Sequence, residues 1–396
     1  MKIKLHLDMR WVYPISLFLI IILDLLTNSV NTTQNQWDFV YYIALAKDGF
    51  NAHPLASPFA YRFFTPGVVH LLSLSGLSIE NGFLLIAYLG AFAQLIGIFF
   101  FVRWATQSAR GAWIAFFITA FSLFNIKFLI FDPFRPDHLA YALILLQTYF
   151  AFERKFLPLL LCTILGSTIR EFTLIPLVAY LFMLMQEKET RSNAIRQGLV
   201  SALFVLPAVV LPRLLIPVTE DFQIVGLNAK GLLNALALFF IPSFIINFIF
   251  SVVAYFLPIF LLANPKHLRT VYQQISIPRR NYLFGYSVLV LVLSFFGGTD
   301  YNRFATFLFI PQIILIGLIE PTISNQKLTY TLVCLFLFNR LWIHIPDWDV
   351  QAYRDFFGGF ALQLNVYTLY RILELLLFIS IGLFINRKKS NETAFA

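Results

Sequence analysis

Apolar residues fall in long blocks from one end of the chain to the other, separated by short polar intervals. Blocks at 11–27, 80–104, 112–131, 138–152, 156–169, 172–186, 198–217, 242–263, 282–296, 304–320, 328–345 and 366–385 predict about 12 helices. A hydrocarbon core about 30 Å thick asks for roughly 20 helical residues, and 138–152 and 156–169 fall short of that. Those two are expected to be half-sunken helices around a cavity. The widest polar interval, residues 28–79, separates the first block from all the others. Within it, 37–47 is apolar and helix-compatible but too short to cross, and 58–75 is a second such stretch, broken at Pro66-Gly67. Both are expected to lie in the membrane interface. The pattern therefore predicts an all-α polytopic membrane protein. Residues 1–396 form a single transmembrane domain with no separate soluble domain.

Composition agrees: 59% of residues are hydrophobic, 12% are charged and 46 are Phe, too little polar surface to cover a water-soluble globule. Charge sets orientation. Alternate inter-block segments hold most of the Lys and Arg, among them Lys2, Lys4, Arg10, Arg103, Arg110, Arg154, Lys266, Arg279, Lys327 and Arg387. Basic residues next to spans mark the cytoplasmic side, so both termini are expected there, in an integral plasma (inner) membrane protein. The net charge of +9 is scattered over many short loops and speaks against a nucleic-acid surface. The N-terminal basic residues and apolar run look like a secretory signal, but Asp24 interrupts the run and no small-residue cleavage site follows. An uncleaved anchor is expected.

Cys162 and Cys334 both fall inside predicted spans, which gives neither a disulfide framework nor a thiolate metal site. They read as core filler. The six His residues show no helical metal spacing, and His6 and His267 fall on the cytoplasmic side. No cofactor is expected to be required; a divalent metal remains compatible but is not indicated.

The remaining charges gather at outward loops and span ends, acids balanced by bases. Charges near a membrane are costly unless paired, wet or functional, so contributions from many separate loops suggest a lined cavity; ordinary loop solvation is the alternative. Asp38, in Trp37-Asp38-Phe39-Val40-Tyr41-Tyr42, follows the first span and has two readings: an N-cap for the helical run after it, or a base. Arg62 sits beside Tyr61 in an aromatic stretch, where a guanidinium wants a carboxylate or phosphate unless it snorkels to headgroups. Asp132-Pro133 is expected to begin a turn and Asp137 to cap the next helix, whereas Arg135 and His138 have no such structural excuse. Ile169-Arg170-Glu171-Phe172 places opposite charges side by side at a junction with hardly any loop. Adjacent helical residues do not face each other, so Arg170 and Glu171 are expected to reach different partners. In Gly297-Gly298-Thr299-Asp300-Tyr301-Asn302-Arg303, the glycines allow a tight turn, and Asp300 and Arg303 stand at pairing distance on a helix start. Asp347-Trp348-Asp349 spells an acid-x-acid pattern, read here as a turn or acceptor contact.

The order of these features resembles the GT-C superfamily of integral membrane glycosyltransferases. It consists of a cytoplasmic N-terminus, a first span, a long outer loop with an early acid and short interfacial helices, then many spans with charged outward junctions. The resemblance covers the whole chain and rests on no single motif. It implies a polyprenyl-phosphate sugar donor, hexosyl or pentosyl transfer on the non-cytoplasmic side, and a glycan, lipid or protein acceptor. By that resemblance Asp38 is the base that deprotonates the acceptor hydroxyl, and Arg170-Glu171 matches a recurrent family feature. Two departures stand out: a single Asp rather than an acidic pair, and no large C-terminal outer domain. Both favour a compact monosaccharide transferase. Arg62, Arg170 and Arg303 become candidates for the lipid phosphate, with Tyr61, Arg135, His138, Glu171 and Asp300 as further substrate contacts. A transporter or flippase for a lipid-linked or anionic solute is the alternative, kept alive by Asp24 and Glu374 within predicted spans. An undecorated membrane scaffold is the third.

Overall fold

The protein is described here by a computed structural model covering residues 8–33, 37–53, 55–221, 236–238, 240–297, 300–347, 349–358 and 364–392. Lys2, Lys4, His6, Gly298, Thr299 and Trp348 lie outside the described residues, as do the side chains of Arg387, Lys388 and Lys389.

Among the described residues the fold is all-α apart from one pair of two-residue strands. After α1 (Val12–Leu25), the first loop carries α2 (Phe39–Asp48) and α3 (Phe64–Ser73), the two short helices expected there. Pro66 and Gly67 lie in the first turn of α3, where a missing N–H costs nothing, so they open the helix instead of breaking it. The long α4 (Ile79–Thr106) starts at Ser78, whose side chain accepts from Asn81 N at 3.2 Å. It ends at Gln107, which turns left-handed. At 1.5 Å per residue α4 is about 42 Å long, and it packs on α1, α3, α5 (Ala109–Ala120) and α7 (Asp137–Phe152).

Several predicted spans are interrupted. Block 112–131 is not one helix: α5 and the segment Leu123–Phe131 are bent by 69° at Phe121–Ser122. A π-turn, Leu123–Lys127, leads into α6 (Phe128–Phe131), and Asn339 Nδ2 donates to the freed Phe121 carbonyl at 2.7 Å. The ammonium of Lys127 is fully buried and donates to three backbone carbonyls, Leu26 at 2.9 Å, Leu341 at 2.8 Å and Ile343 at 2.7 Å. It thereby joins the end of α1, the break after α5 and the chain beyond residue 339.

The chain continues with α8 (Phe156–Ser167), α9 (Ile175–Gln186) and α10 (Arg191–Leu215). Block 242–263 divides into α11 (Pro242–Tyr255) and α12 (Leu257–Leu262), because Pro258 lacks an N–H and clashes with the preceding turn. Then follow α13 (Pro265–Gln274), α14 (Ile277–Phe296), α15 (Tyr301–Ala305), α16 (Phe309–Ile319), α17 (Asn325–Phe338), α18 (Val350–Phe357) and α19 (Val366–Glu392). Among the described residues, four helical stretches are long and apolar enough to cross a membrane: Ile79–Thr106, Arg191–Leu215, Tyr301–Thr322 and Val366–Asn386. Counting the bent pair as one span makes up to five.

Charge sorts to opposite ends of these helices. The head of α7 carries Asp137, while its tail Phe152 lies under Arg279, 5.0 Å from ring centroid to guanidinium. Past the tail of α9, Glu187 pairs with Arg154 at 2.7 Å, and past α16, Glu320 pairs with Arg110 at 2.6 Å. Arg279, Arg154 and Arg110 thus lie against the C-terminal ends of α7, α9 and α16. The parallel strands β1 (Ala56–Ser57) and β2 (Glu220–Asp221) tie the first loop to the chain beyond α10, reinforced by Thr219 N donating to Leu55 O at 2.8 Å.

Close helix approach depends on glycine. A Cβ at Gly111 of α5 would stand 2.6 Å from the Gly317 carbonyl of α16, rigid backbone with nowhere to go. A Cβ at Gly97 would meet only the end of the Leu145 side chain, at 3.2 Å. Gly111→Ala should therefore lower stability by about 1–3 kcal/mol and Gly97→Ala by less, read as thermal unfolding of the detergent-solubilised protein. Equal midpoints for the two variants would contradict this packing.

Candidate functional site: a buried arginine–carboxylate assembly

The loop between α6 and α7 is stiffened by Pro133 and Pro136 and folds Arg135 inward, 8% exposed, where a wet hairpin tip was the alternative expectation. Its Nε donates to Asp132 at 2.5 Å and its Nη1 to Asp38 at 3.0 Å. Asp38 precedes α2 yet makes no side-chain cap bond, so the capping reading fails and the carboxylate is spent on Arg135. With its side chain 39% exposed, Asp38 is the accessible end of this chain of contacts.

Arg170 and Glu171 do reach different partners. Glu171 accepts from Arg62, Nε at 3.2 Å and Nη2 at 3.0 Å, and Arg62 Nη1 also donates to the Tyr42 hydroxyl at 3.1 Å. Arg213, near the end of α10, stands 3.9 Å from the other Glu171 oxygen and lies over the Tyr61 ring at 4.8 Å. Burial opposes a charged Arg62, but Glu171 and Tyr42 together outweigh it and keep the guanidinium protonated.

Arg170 turns instead to Asp137, Nε to Oδ1 at 3.1 Å, and Arg303 approaches the other oxygen of Asp137 at 3.5 Å. Arg303 also meets Asp300 at 3.1 Å, the pair expected from the sequence. Asp137 is completely buried, Arg170 is 2% exposed and Arg303 is 4% exposed. These contacts are close but off-axis. Neither Asp137 oxygen has a hydrogen-bond partner among the described residues, nor does Arg170 Nε, Arg303 Nε or Arg303 Nη1. Buried groups in that condition carry unused donor capacity in a low-dielectric setting. Burial alone would raise the Asp137 carboxyl; Arg170 and then Arg303 overcome it and hold the group below the ordinary carboxylate range. The charges of Arg135 and Arg62 also reach Asp137, so the three clusters form one electrostatic unit.

Asp38, Arg62, Arg135, Arg170, Glu171, Asp300 and Arg303 thus meet at one end of the bundle, with Tyr61 beneath Arg213. His138 lies behind them, its ring against Gly90 of α4 and neither ring nitrogen hydrogen-bonded among the described residues. The sequence reading missed the residues at the centre. Asp137 was expected only to cap its helix and Asp132 only to start a turn, and Arg213 and Tyr42 were not singled out. One available signal was stoichiometric: arginines at the heads of three separate spans need buried acids to face. The acid-x-acid pattern is structural where it is described, Asp347 accepting from Asn31 N at 2.7 Å and Asp349 capping α18 through Gln351 N at 2.7 Å. Among the described residues, no three His, Cys, Asp or Glu side chains gather as a metal site.

No family model matches the chain, and neither a curated protein nor a solved structure does.

Removing the Asp137 charge leaves Arg170 and Arg303 buried against each other. Asp137→Asn should cost about 3–5 kcal/mol, read by thermal unfolding, against less than about 1 kcal/mol for an exposed acid such as Glu80→Gln. The depressed Asp137 carboxyl also fixes a sign with pH. Its contribution is complete above the ordinary Asp range near pH 4 and is lost as pH falls through the lower folded value. An acid unfolding profile that is identical in wild type and Asp137→Asn would refute this.

Proposed function

We propose that the protein is an inverting membrane glycosyltransferase of GT-C type. It moves a hexosyl or pentosyl group from a polyprenyl-phosphate carrier to a glycan, lipid or protein acceptor, with Asp38 as general base. This reading includes about twelve membrane passes, both termini cytoplasmic and the arginine–carboxylate assembly on the non-cytoplasmic side of a plasma membrane. The observation that carries it is the pairing of one accessible carboxylate, Asp38, with a buried bank of guanidinium groups that retain unused N–H donors.

In the proposed step, Asp38 takes the proton from the acceptor hydroxyl as its oxygen attacks the anomeric carbon, and the bond from that carbon to the phosphate oxygen breaks on the opposite face. A single displacement inverts the centre. The departing lipid phosphate gains charge as the bond breaks, and fixed donors aimed at it lower the barrier most where water is excluded. Arg303 and Arg170, whose free N–H groups flank Asp137, are suited to that task, with Arg62 held in place by Glu171 and Tyr42. Arg135 acts as a positioning residue, fixing the Asp38 carboxylate from behind. The two acids that would favour a carrier are engaged internally: Asp24 accepts from the Tyr88 hydroxyl at 2.7 Å and Glu374 from Arg371 at 2.5 Å.

Membranes containing the protein, supplied with radiolabelled polyprenyl-phosphate sugars, should produce labelled acceptor. Asp38→Asn should reduce that transfer by about 10²-fold or more while inserting at wild-type levels, the range expected for loss of a general base. Full transfer by the Asn variant would eliminate Asp38 as the base. Carrier movement across sealed vesicles without any sugar transfer would hand the molecule to the flippase reading.

A further inference from the structure

Residues 222–299 contain no Asp or Glu, yet the turn from α13 into α14 gathers Lys266, Arg269, Arg279 and Arg280. This surface of a single sign lies at the tail of α7, where Arg279 covers the Phe152 ring. About 22 Å of helix separates it from Asp137 at the head of α7, so it is no part of the arginine–carboxylate assembly.

The setting of α13 is fixed. Asn264 caps it, accepting from His267 N at 2.7 Å, and Val271 and Ile275 are buried on its inner side. Lys266, Arg269, Tyr272 and Gln273 follow one another at helical spacing on the other face, and all four are exposed. Arg280, in the first turn of α14, lies over the Tyr272 ring, its guanidinium 6.0 Å from the centroid. Arg269 and Arg280 therefore flank one exposed tyrosine. Arg279 is committed elsewhere, 5.0 Å from the rings of both Trp104 and Phe152. Among the described residues, neither Arg269 nor Arg280 has an acid at ion-pair distance.

The same Arg280 heads a stripe of apolar side chains. Ile277, Phe284, Val288 and Val292 are exposed along α14, and Arg280 belongs to their face, three residues after Ile277 and four before Phe284. The opposite face is locked into the core by Tyr282, Tyr286 and Val290, with the Tyr286 hydroxyl donating to the Phe307 carbonyl at 2.7 Å. A soluble acidic partner would answer the charges and leave the stripe bare. A phospholipid answers both, with a phosphate at the turn and hydrocarbon along the helix.

We propose that the α13–α14 turn holds an anionic phospholipid of the adjoining leaflet, its phosphate between Arg269 and Arg280 beside Tyr272 and one acyl chain along Phe284 and Val288. Guanidinium forks match pairs of phosphate oxygens, and basic clusters on amphipathic helices next to spans attract anionic lipid. The inference rests on the chain lying in a membrane and not on its being a transferase.

The test places the full-length protein in phosphatidylcholine nanodiscs with a small fraction of phosphatidylglycerol carrying a diazirine in its acyl chain, and reads crosslinked peptides by mass spectrometry. Label should concentrate on the α14 stripe. Unlabelled phosphatidylglycerol should compete for it, whereas diacylglycerol and millimolar glycerol phosphate should not. Arg269→Gln combined with Arg280→Gln should lower labelling of α14 about tenfold or more with thermal unfolding unchanged, because neither side chain pairs with an acid. Removing two exposed charges elsewhere, Lys188→Gln with Arg196→Gln, should leave the labelling as it was. Equal loss in the two double variants would reduce the effect to diffuse surface charge and overturn the site, as would full labelling without Arg269 and Arg280. Competition by diacylglycerol as strong as by phosphatidylglycerol would overturn the role of the phosphate, and displacement by glycerol phosphate would overturn the assignment to a lipid.

Discussion

One fully buried carboxylate, Asp137, organises the charged end of this protein. Arg170 and Arg303 approach its two oxygens from α9's entry and from α15, while the electrostatic reach of Arg62 and Arg135 draws in the first loop and the α6–α7 turn. None of these guanidinium groups could stay buried alone in a helix bundle, and the acid could not stay ionised without them. Each segment therefore supplies the counter-charge that lets another segment remain where it is. The arrangement couples the placement of at least four chain segments to one side chain at the head of α7.

The same dependence explains why the contacts are imperfect. A structural salt bridge optimised for stability tends toward bidentate, well-aligned geometry, as Arg62 and Glu171 approach with several hydrogen bonds. Around Asp137 the distances are short and the alignment is poor, leaving N–H groups of Arg170 and Arg303 unsatisfied. Arg170 and Arg303 are thus held to Asp137 by charge and not by direction. Charge attraction falls off gradually with displacement, whereas a hydrogen bond is lost within a few tenths of an ångström and a few tens of degrees.

Much of this was legible in the chain. Block length and composition were enough for helices able to span a membrane, and the apolar stretches 37–47 and 58–75 for the short helices of the first loop, though Pro66-Gly67 opens the second and does not break it. Arg170 and Glu171 diverge as expected, but through the extended backbone of Arg170 and not through helix geometry. Continuity of the long blocks was not legible, because apolar content carries no record of where a helix bends. The break at Phe121–Ser122 depends on Asn339, distant in sequence, to satisfy a freed carbonyl, and on Lys127 to gather three others. Asp137 was misjudged for a related reason. A local rule, acid before helix, explained it adequately, and nothing nearby in sequence announced that Arg170 and Arg303 would converge on it.

The short ladder between Ala56–Ser57 and Glu220–Asp221 has a mechanical corollary. The apolar stretch of α10 has only 6% of its residues enclosed, so this helix is bounded mostly by surroundings that yield. The loop bearing Arg62 is fastened to its far end. Any sideways lean of α10 would draw on that loop like a hinge-pin, parting the rim beside Tyr61 and Arg213.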